Sequence, residues 1–189
     1  MKVFKFGGAS VKDAEGVRNV ARVLKHFGLD DLVIVVSAMG KTTNALEEVV
    51  WKWSDGRSTN EAVDALEQAH HVVLREVAPE DEAAATLLVD QFHALRAILK
   101  HPVKNGIDFN YDQVVSFGEM WSTLIVSAHL RGAELPNTWA DATAAVRTDA
   151  HFRCARVDWA ACGERARAYL RPLFGTAPAR VDTQGFIGA

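Results

Sequence analysis

The sequence predicts an α/β fold, a three-layer α/β/α sandwich around a mainly parallel central sheet. Two short segments rich in aliphatic and aromatic residues, 3–6 and 32–36, are typical of strands, and a helical segment lies between them. The second segment is apolar at every position, as in a strand buried on both faces of a parallel sheet. Strand, helix and strand in this order form a right-handed βαβ unit with parallel strands.

The helix between these two strands is predicted over residues 10–26. Its apolar residues recur three, four and seven positions apart and therefore share one face: Val17, Val20, Ala21 and Leu24. Gly28 suits the end of this helix, because glycine readily adopts the left-handed conformation that often follows a last helical turn.

Most of the remaining chain is predicted to be helical. Ala, Leu, Val and Glu dominate residues 44–100, with breaks at 54–60 and at 78–82, where acidic residues suit a new helix N-terminus. A further helix is predicted over residues 112–130. Two more strands are predicted over 136–140 and 181–187.

Composition and charge argue against several classes of function. With 24% charged residues and a net charge of −3, the chain of 189 residues is expected to be one domain with no nucleic-acid or membrane partner. No apolar run approaches the roughly 20 residues of a membrane span, and the first residues lack the apolar core of a signal peptide. Cys154 and Cys162 show no metal-ligand spacing. A reduced, cytoplasmic protein is therefore expected.

The end of the first strand carries a candidate phosphate site. Lys5 lies near the end of this strand, Gly7 and Gly8 follow it, and Ser10 begins the helical segment. Glycines let backbone N–H groups approach an anion, and a helix N-terminus adds a partial positive charge. A tight turn alone would also explain the glycine pair, so this segment by itself leaves both interpretations open.

The second strand ends in a similar loop, Ser-Ala-Met-Gly-Lys-Thr-Thr-Asn at residues 37–44. Ser37 offers a hydroxyl and an N–H, Lys41 offers a positive charge, and Thr43 can donate a hydrogen bond or cap the next helix. Ligands of open parallel sheets bind at the carboxyl ends of the strands, where these two loops would lie side by side. The spacing is not that of a P-loop.

Glu119 is the third candidate. It is the only Asp, Glu, Lys or Arg between Asp112 and Arg131, in a segment that is apolar over most of its predicted helical surface. A carboxylate on a buried helix needs a partner, because burying an unpaired charge is costly. The partner is either a structural cation of the protein or a cationic group of a ligand, and the sequence leaves both open.

Several segments resemble signature segments of the aspartate kinases in the amino acid kinase superfamily. Residues 5–11, 36–44 and 116–119 carry most of this resemblance. Residues 139–142 with 147–149, and residues 183–188, resemble two more signature segments. Because the matches occur in order along the chain, the resemblance covers nearly all of it and is specific as a set.

The resemblance implies that residues 1–189 are the amino-terminal part of an amino acid kinase catalytic domain. It implies ATP-dependent phosphorylation of the β-carboxylate of L-aspartate, the first step toward lysine, threonine and methionine, with Mg²⁺ bridging the phosphates. ATP and L-aspartate would be the ligands, and the parent enzyme would be a homo-oligomer.

The resemblance also implies a role for each candidate residue. Lys5 would be the catalytic residue, because it would neutralise charge as the γ-phosphoryl group moves. The phosphate-binding set would be Lys5, Gly7, Gly8, Ser10 and Ser37. The substrate-binding set would be Ser37, Ala38, Thr43 and Glu119, with the last facing the ammonium group of aspartate. No protein residue is expected to be a metal ligand.

The carboxyl-terminal end departs from the family pattern. In the family, Gly-Phe-Ile-Gly leads into a Thr-rich and Gly-rich segment with a substrate-binding arginine and aspartate, followed by the nucleotide-binding half and regulatory ACT domains. Residues 185–188 are the last match here, so we expect an inactive amino-terminal part of the kinase. The alternatives are a non-catalytic ligand-binding fragment and a kinase of another amino acid, which the Ser-Phe-Gly-Glu segment disfavours.

Overall fold

The computed structural model describes residues 1–28, 31–175 and 179–189. It has an α/β fold, as predicted, around a four-stranded sheet in which neighbouring strands pair in parallel. The strands are β1 (Lys2–Phe6), β2 (Leu32–Val36), β3 (Thr138–Ala140) and β4 (Arg180–Gln184). They lie in the order β1-β2-β4-β3, so their four carboxyl ends meet at one edge of the sheet.

Helices make up most of the rest of the chain. They are α1 (Ala14–Phe27), α2 (Thr42–Ser54), α3 (Asn60–Val77), α4 (Glu82–Leu99), α5 (Ile107–Val115), α6 (Phe117–Gly132), α7 (Ala142–Ala145) and α8 (Trp159–Tyr169). Short 3-10 turns, Gly8–Val11 and Arg171–Leu173, precede α1 and follow α8. No helix within the described ranges is long and apolar enough to cross a membrane.

The first βαβ unit confirms the sequence prediction. Helix α1 begins after Asp13, whose side chain accepts a hydrogen bond from the N–H of Gly16 at 2.8 Å. It ends at Gly28, which has a φ of +54° and donates its N–H to the carbonyl oxygen of Leu24. The predicted apolar stripe of α1 is buried, so the sequence pattern determines which face of this helix meets the sheet.

The two faces of the sheet are covered unequally. Ile34 and Val36 belong to the main core, together with the buried faces of the helices from α1 to α6. Val35 and Thr183 lie on the opposite face and line a cleft that Leu170, just after α8, also lines. The fold is therefore α/β/α, and the second helical layer is thin and leaves this face partly open.

The predicted helix over residues 112–130 is in fact two helices. Helix α5 begins earlier than predicted, at Ile107, after Gly106 with a φ of +85°, and α6 begins at Phe117. Ser116 between them keeps helical dihedral angles, so the apolar pattern continues through the junction and hides it. The predicted fourth strand is shorter than expected and ends at Gln184.

Helix α6 lies at the centre of the helical layer. Trp121 on α6 is fully buried, and its ring stacks on Phe92 of α4 with 4.0 Å between the ring centroids. His70 packs against the same Trp121 ring at 5.0 Å, and burial lowers the pKa of this imidazole. His70 is therefore a packing residue of the helical layer.

Candidate phosphate and carboxylate site

Two loops interlock at the carboxyl edge of the sheet. The loop after β1 approaches the loop after β2 so closely that a β-carbon on Gly8 would stand 2.5 Å from the carbonyl oxygen of Ala38. The N–H of Gly40 donates to the carbonyl oxygen of Gly8 at 3.0 Å. Because a side chain on Gly8 would prevent this approach, we treat the two loops as one loop unit, residues 7–10 and 37–41. A β-carbon on Gly7 would meet no atom within 4 Å.

The loop unit presents unused hydrogen-bond donors. The N–H groups of Gly8 and Ala9 donate to no acceptor in the part of the chain that the structure describes. Lys5 is exposed near the end of β1 and forms no salt bridge with a described carboxylate. Free N–H groups beside a lysine provide the charge and the donors that bind an anion such as phosphate.

Glu119 lies in the first turn of α6 and is buried, with 7% of its surface exposed. Its Oε1 accepts a hydrogen bond from the N–H of Ala38 at 3.3 Å. Burial raises the pKa of the Glu119 carboxyl, and the Ala38 N–H offsets this effect in part. No described cation forms a salt bridge with Glu119, so the structural ion pair that the sequence left open is not formed within the described residues.

Helix α6 also packs against the loop after β2. A β-carbon on Gly118 would lie 3.0 Å from Cβ of Ala38 and 3.3 Å from Cγ2 of Thr42. One turn further along α6, the fully buried Ser122 donates to the carbonyl oxygen of Ser37 at 2.8 Å. The position of the second loop is therefore set by the amino-terminal half of α6.

An open cleft of about 1340 Å³ extends from this edge over the second face of the sheet. Thr43 and Glu119 line it on the side of α2 and α6, and Val35 and Thr183 line it on the side of the sheet. Lys5 aligns with Val35 across the sheet, as Val35 does with Thr183, so the Lys5 side chain leaves the sheet on the cleft side. Glu119 therefore lines the cleft, and the Lys5 side chain projects from the sheet face that the cleft covers, outside the cleft lining.

The far wall of the cleft is a loop over residues 147–158 whose docking the sequence does not predict. The tip of this loop contacts α5 through Arg153. The guanidinium group of Arg153 lies over the ring of Tyr111, 4.4 Å from the centroid, and its backbone N–H donates to Oδ2 of Asp112 at 2.8 Å. Arg153 has a φ of +63°, a conformation that costs free energy for a residue with a β-carbon and that these contacts hold in place.

A buried polar network joins α6 to the ends of β3 and β4. Gln184 donates through Nε2 to Oγ1 of Thr123 at 3.1 Å and accepts the N–H of Ala142 at 2.8 Å. Oγ1 of Thr123 also accepts from Nε1 of Trp139 at 3.0 Å. Trp139, Ala142 and Gln184 lie in segments that resemble family signatures, but the sequence does not predict the hydrogen bonds that join them to Thr123, because uncharged polar side chains give no signal of their partners.

The predicted site residues fall into three positions. Thr43 and Glu119 line the cleft directly. Ser37 and Ala38 lie between the cleft and the first loop, where they contact α6. The remaining predicted residues are at the sheet edge outside the cleft lining and are exposed or half-buried: Lys5, Gly7, Gly8 and Ser10.

No group of three or more His, Cys, Asp or Glu side chains suited to a metal ion occurs in residues 1–28, 31–175 and 179–189. Mg²⁺ commonly keeps several waters and binds through substrate phosphates and one or two carboxylates. The described residues are therefore compatible with a Mg²⁺ ion that arrives with a nucleotide, and they do not form a resident metal site by themselves.

A family model described as the amino acid kinase family matches residues 1–175. The chain is 29% identical over 153 residues to bifunctional aspartokinase/homoserine dehydrogenase 2 of Escherichia coli (strain K12), a match that covers 78% of this chain and 18% of that protein. It is 37% identical over 131 residues to the chloroplastic aspartokinase 2 of Arabidopsis thaliana, covering 68% of this chain and 24% of that protein. The chain therefore spans about a fifth to a quarter of the length of these curated relatives.

Solved structures share the fold over 99% of this chain. E. coli aspartokinase III in complex with lysine and aspartate superposes with a TM-score of 0.87 at 26% identity. The same enzyme in complex with aspartate and ADP superposes with a TM-score of 0.85 at 27% identity. In both comparisons this chain covers 41% of the solved chain.

Proposed function

The chain belongs to the amino acid kinase family, and we propose that it forms the amino-terminal part of an aspartate kinase. The proposed reaction transfers the γ-phosphoryl group of ATP to the β-carboxylate of L-aspartate, the first step toward lysine, threonine and methionine. One observation carries this proposal: Glu119 brings an unpaired carboxylate to the cleft in direct contact with the loop unit. An aspartate kinase has to bind the ammonium group of its substrate close to the phosphoryl group that it transfers, and the contact between Glu119 and the loop unit supports both requirements.

Lys5 and the loop unit supply the phosphate-binding half of the proposed site. The ammonium group of Lys5 neutralises negative charge during the transfer, and the backbone around Gly7 and Gly8 binds phosphate oxygens, together with the hydroxyls of Ser10 and Ser37. Mg²⁺ that arrives with ATP would supply additional positive charge, and Lys5 and the loop unit would bind the phosphates that carry it. The unused N–H groups of Gly8 and Ala9 support this assignment.

Thr43 and Glu119 supply the aspartate-binding half. Glu119 pairs with the substrate ammonium group, and because no described cation occupies that position, the substrate would be its first counter-ion. Binding this ammonium group lowers the raised pKa of the carboxyl toward its ordinary value. Ser37 and Ala38 lie between the two halves and bring the reacting carboxylate close to the phosphates.

The proposed reaction needs no general base from the protein. The β-carboxylate of aspartate is ionised at neutral pH, so one of its oxygens can attack the γ-phosphorus directly. The new P–O bond forms as the bond to the leaving ADP oxygen breaks, and no proton has to move. The protein therefore contributes positioning and charge stabilisation, which are the main requirements of phosphoryl transfer.

Several further properties belong to the same proposal. The full-length kinase would use ATP with Mg²⁺, form a homo-oligomer, have no nucleic-acid or membrane partner and act in the cytoplasm, although several relatives are named as chloroplastic proteins. Because the chain spans 18% and 24% of two curated relatives, we expect the isolated chain to show no measurable turnover. Fractionation and light scattering of the full-length protein test its location and assembly.

Two other functions compete with this proposal: a kinase that acts on another amino acid, and a module that binds ligands without catalysis. Trapping the product distinguishes them, because hydroxylamine converts an acyl phosphate into a stable hydroxamate. With the full-length kinase and ATP, we expect hydroxamate from L-aspartate, little from L-glutamate or N-acetyl-L-glutamate, and a rate lower by a factor on the order of 10² or more from the Lys5→Ala variant. A preference for either alternative acceptor would reassign the substrate, and no product with any of them would favour a non-catalytic role.

A further inference from the structure

We propose that Ser122 is a positioning residue of the candidate site, a role that rests on the proposed function. Its hydroxyl acts with the Glu119 carboxylate to fix the peptide unit between Ser37 and Ala38, and thereby the direction of the Ser37 hydroxyl. Ser122 is fully buried and does not line the cleft, so it acts through the loop and not on a ligand.

The peptide unit between Ser37 and Ala38 is held at both of its polar atoms by one helix. Its carbonyl oxygen accepts the hydroxyl of Ser122 at 2.8 Å, and its N–H donates to Oε1 of Glu119 at 3.3 Å. Glu119 and Ser122 are three positions apart on α6 and therefore lie on the same face. Rotation of the peptide unit would break both hydrogen bonds together.

The hydrogen bond between Ala38 and Glu119 is buried, and the one between Ser122 and the half-buried Ser37 is partly buried. Ser122 has 0% of its surface exposed, Ala38 has 4% and Glu119 has 7%. If the Ser122 hydroxyl is removed, the Ser37 carbonyl oxygen loses the only partner that the described residues give it. A half-buried acceptor that loses its partner is unfavourable, so the peptide unit is expected to turn toward the open cleft to find another.

Helix α6 gives this contact a rigid support. Trp121, the neighbour of Ser122, is fully buried and stacks on Phe92. Trp121 also packs against His70, whose Nε2 lies 3.5 Å from the hydroxyl of Thr42 at the start of α2. The loop after β2 is therefore fixed at its start through Ser122. At its end it leads into α2, where Thr42 lies beside His70, which packs against the Trp121 ring.

The orientation of this peptide unit affects both halves of the proposed site. Ser37 follows β2 directly, and its Oγ lies 3.7 Å from the position that a β-carbon on Gly185 would take at the end of β4. The same loop bonds to Gly8 through the N–H of Gly40 at 3.0 Å. A turned peptide unit would displace the Ser37 hydroxyl and loosen the first loop, and phosphoryl transfer depends on both positions.

Ser127 provides a matched control on the same helix. It is also fully buried, and its hydroxyl donates to Oδ1 of Asn137 at 2.9 Å, away from the loop unit. The Ser122 hydroxyl also lies 3.1 Å from the carbonyl oxygen of Glu119, a bond within the helix that serines commonly make. Because Ser127 is equally buried on α6 but bonds away from the loop unit, Ser127→Ala reports the general cost of deleting a buried serine hydroxyl from this helix.

The first test measures amide hydrogen exchange by NMR in the 189-residue chain, without any ligand. Ser122→Ala should increase the exchange rate of the Ala38 N–H by a factor on the order of 10, because the loss of one modest hydrogen bond changes an opening equilibrium about tenfold. Ser127→Ala should leave this rate unchanged, and Ser122→Cys, which keeps a weak donor of similar size, should be intermediate. An unchanged rate in Ser122→Ala, or an equal rise in Ser127→Ala, would overturn the proposal.

The second test measures steady-state kinetics of the full-length kinase. Ser122→Ala should lower kcat by a factor on the order of 10, with a smaller rise in KM for L-aspartate, because the Glu119 carboxylate keeps its charge while the loop that it contacts is displaced. Ser127→Ala should keep the parent kcat. A normal kcat in Ser122→Ala, despite faster Ala38 exchange, would refute the positioning role. If the parent kinase has no activity while the exchange result holds, the proposed function fails and the loop geometry stands.

Discussion

The carboxylate of Glu119 accepts the N–H of Ala38 at 3.3 Å, which joins helix α6 to the loop after β2. Ala38 in turn lies against Gly8, where a β-carbon would come within 2.5 Å of the Ala38 carbonyl oxygen. Ala38 alone would therefore separate a ligand group bound by Glu119 from Gly8 in the first loop. This adjacency places the proposed amino acid and phosphate positions next to each other.

Replacing Glu119 by Gln should weaken the binding of L-aspartate far more than the binding of ATP. Gln keeps the shape and can still accept the Ala38 N–H, but it removes the charge that pairs with the substrate ammonium group. We expect a loss of roughly 2–5 kcal/mol in aspartate binding, as for a buried charge pair that loses one partner. KM values for both substrates and the melting temperature of the same variant check this prediction.

The melting temperature separates a substrate-binding role of Glu119 from a structural one. Burial raises the pKa of this carboxyl and no described cation pairs with it, so its charge destabilises the ligand-free fold at neutral pH. Glu119→Gln should therefore melt at the same temperature as the parent or higher. A drop of several degrees with an aspartate KM within a factor of two of the parent would make Glu119 a structural residue.

Replacing Lys5 by Ala should lower kcat of the full-length kinase by a factor on the order of 10² or more, with a smaller effect on the aspartate KM. The lysine is expected to act mainly on charge that develops in the transition state. Lys5→Arg should restore activity only in part, because a guanidinium fork replaces a compact point charge. A near-normal kcat with a raised aspartate KM would reassign Lys5 to substrate binding.

The two glycines of the first loop should respond differently to alanine. A β-carbon on Gly8 would stand 2.5 Å from the Ala38 carbonyl oxygen, whereas a β-carbon on Gly7 would meet nothing within 4 Å. Gly8→Ala should therefore lower the free energy of unfolding by about 1–3 kcal/mol, in the range of an overpacked site, and Gly7→Ala should change it by less than about 0.5 kcal/mol. Urea unfolding of both variants provides the comparison, and equal destabilisation would show that the loops do not interlock.

Asp182 on β4 should make the stability of the protein depend on pH. Asp182 is fully buried on the same sheet face as Ile34, which packs against the main core. Neither of its carboxylate oxygens has a hydrogen-bond partner among the described residues. Burial raises the pKa of Asp182 from 3.8 to about 7, while the nearby Ser127 hydroxyl and the Arg131 guanidinium lower it only in part. The folded chain therefore holds a proton that the unfolded chain releases.

The sign of this effect follows from proton linkage. Between pH 3.8 and about 7 the folded state binds more protons at Asp182 than the unfolded state, so stability falls as pH rises through this window. Above it the full cost applies, which is about 4 kcal/mol at most for a shift of this size. Asp182→Asn should therefore be more stable than the parent at pH 8 and nearly equal at pH 4. A constant difference at both pH values would contradict a titrating Asp182.

The parts of the fold that the sequence predicts correctly are those with a repeating pattern. The apolar stripe of α1 and the left-handed Gly28 follow from local spacing and residue type, whereas the start of the helix after Asp13 lies four residues beyond the predicted start. Helix α8 gives no such signal, because it buries no residue. The junction at Ser116 is hidden for the opposite reason, since the apolar pattern continues through it.

The candidate site divides in a similar way. Lys5 and the glycines are visible in the sequence because their residue types are unusual at a strand end, and Glu119 because it is the only Asp, Glu, Lys or Arg between Asp112 and Arg131. The partner of Glu119 is the backbone N–H of Ala38, which cannot be predicted from residue type because nearly every residue has one. The contacts of Arg153 with α5 join segments 41 positions apart, so only the folded chain reveals them.

The central claim is that the loop unit and Glu119 form two adjacent halves of one site, and an NMR titration of the chain tests it most directly. L-Aspartate should shift the amide signals of Ala38, Thr43 and Glu119, whereas ATP with Mg²⁺ should shift those of Gly7, Gly8 and Ala9. Ser37, which lies between the two halves, should respond to both ligands, and the Glu119→Gln variant should lose only the aspartate response. Shifts by both ligands at a common set of residues away from this edge, or an equal response to L-glutamate at Ala38 and Thr43, would contradict the account.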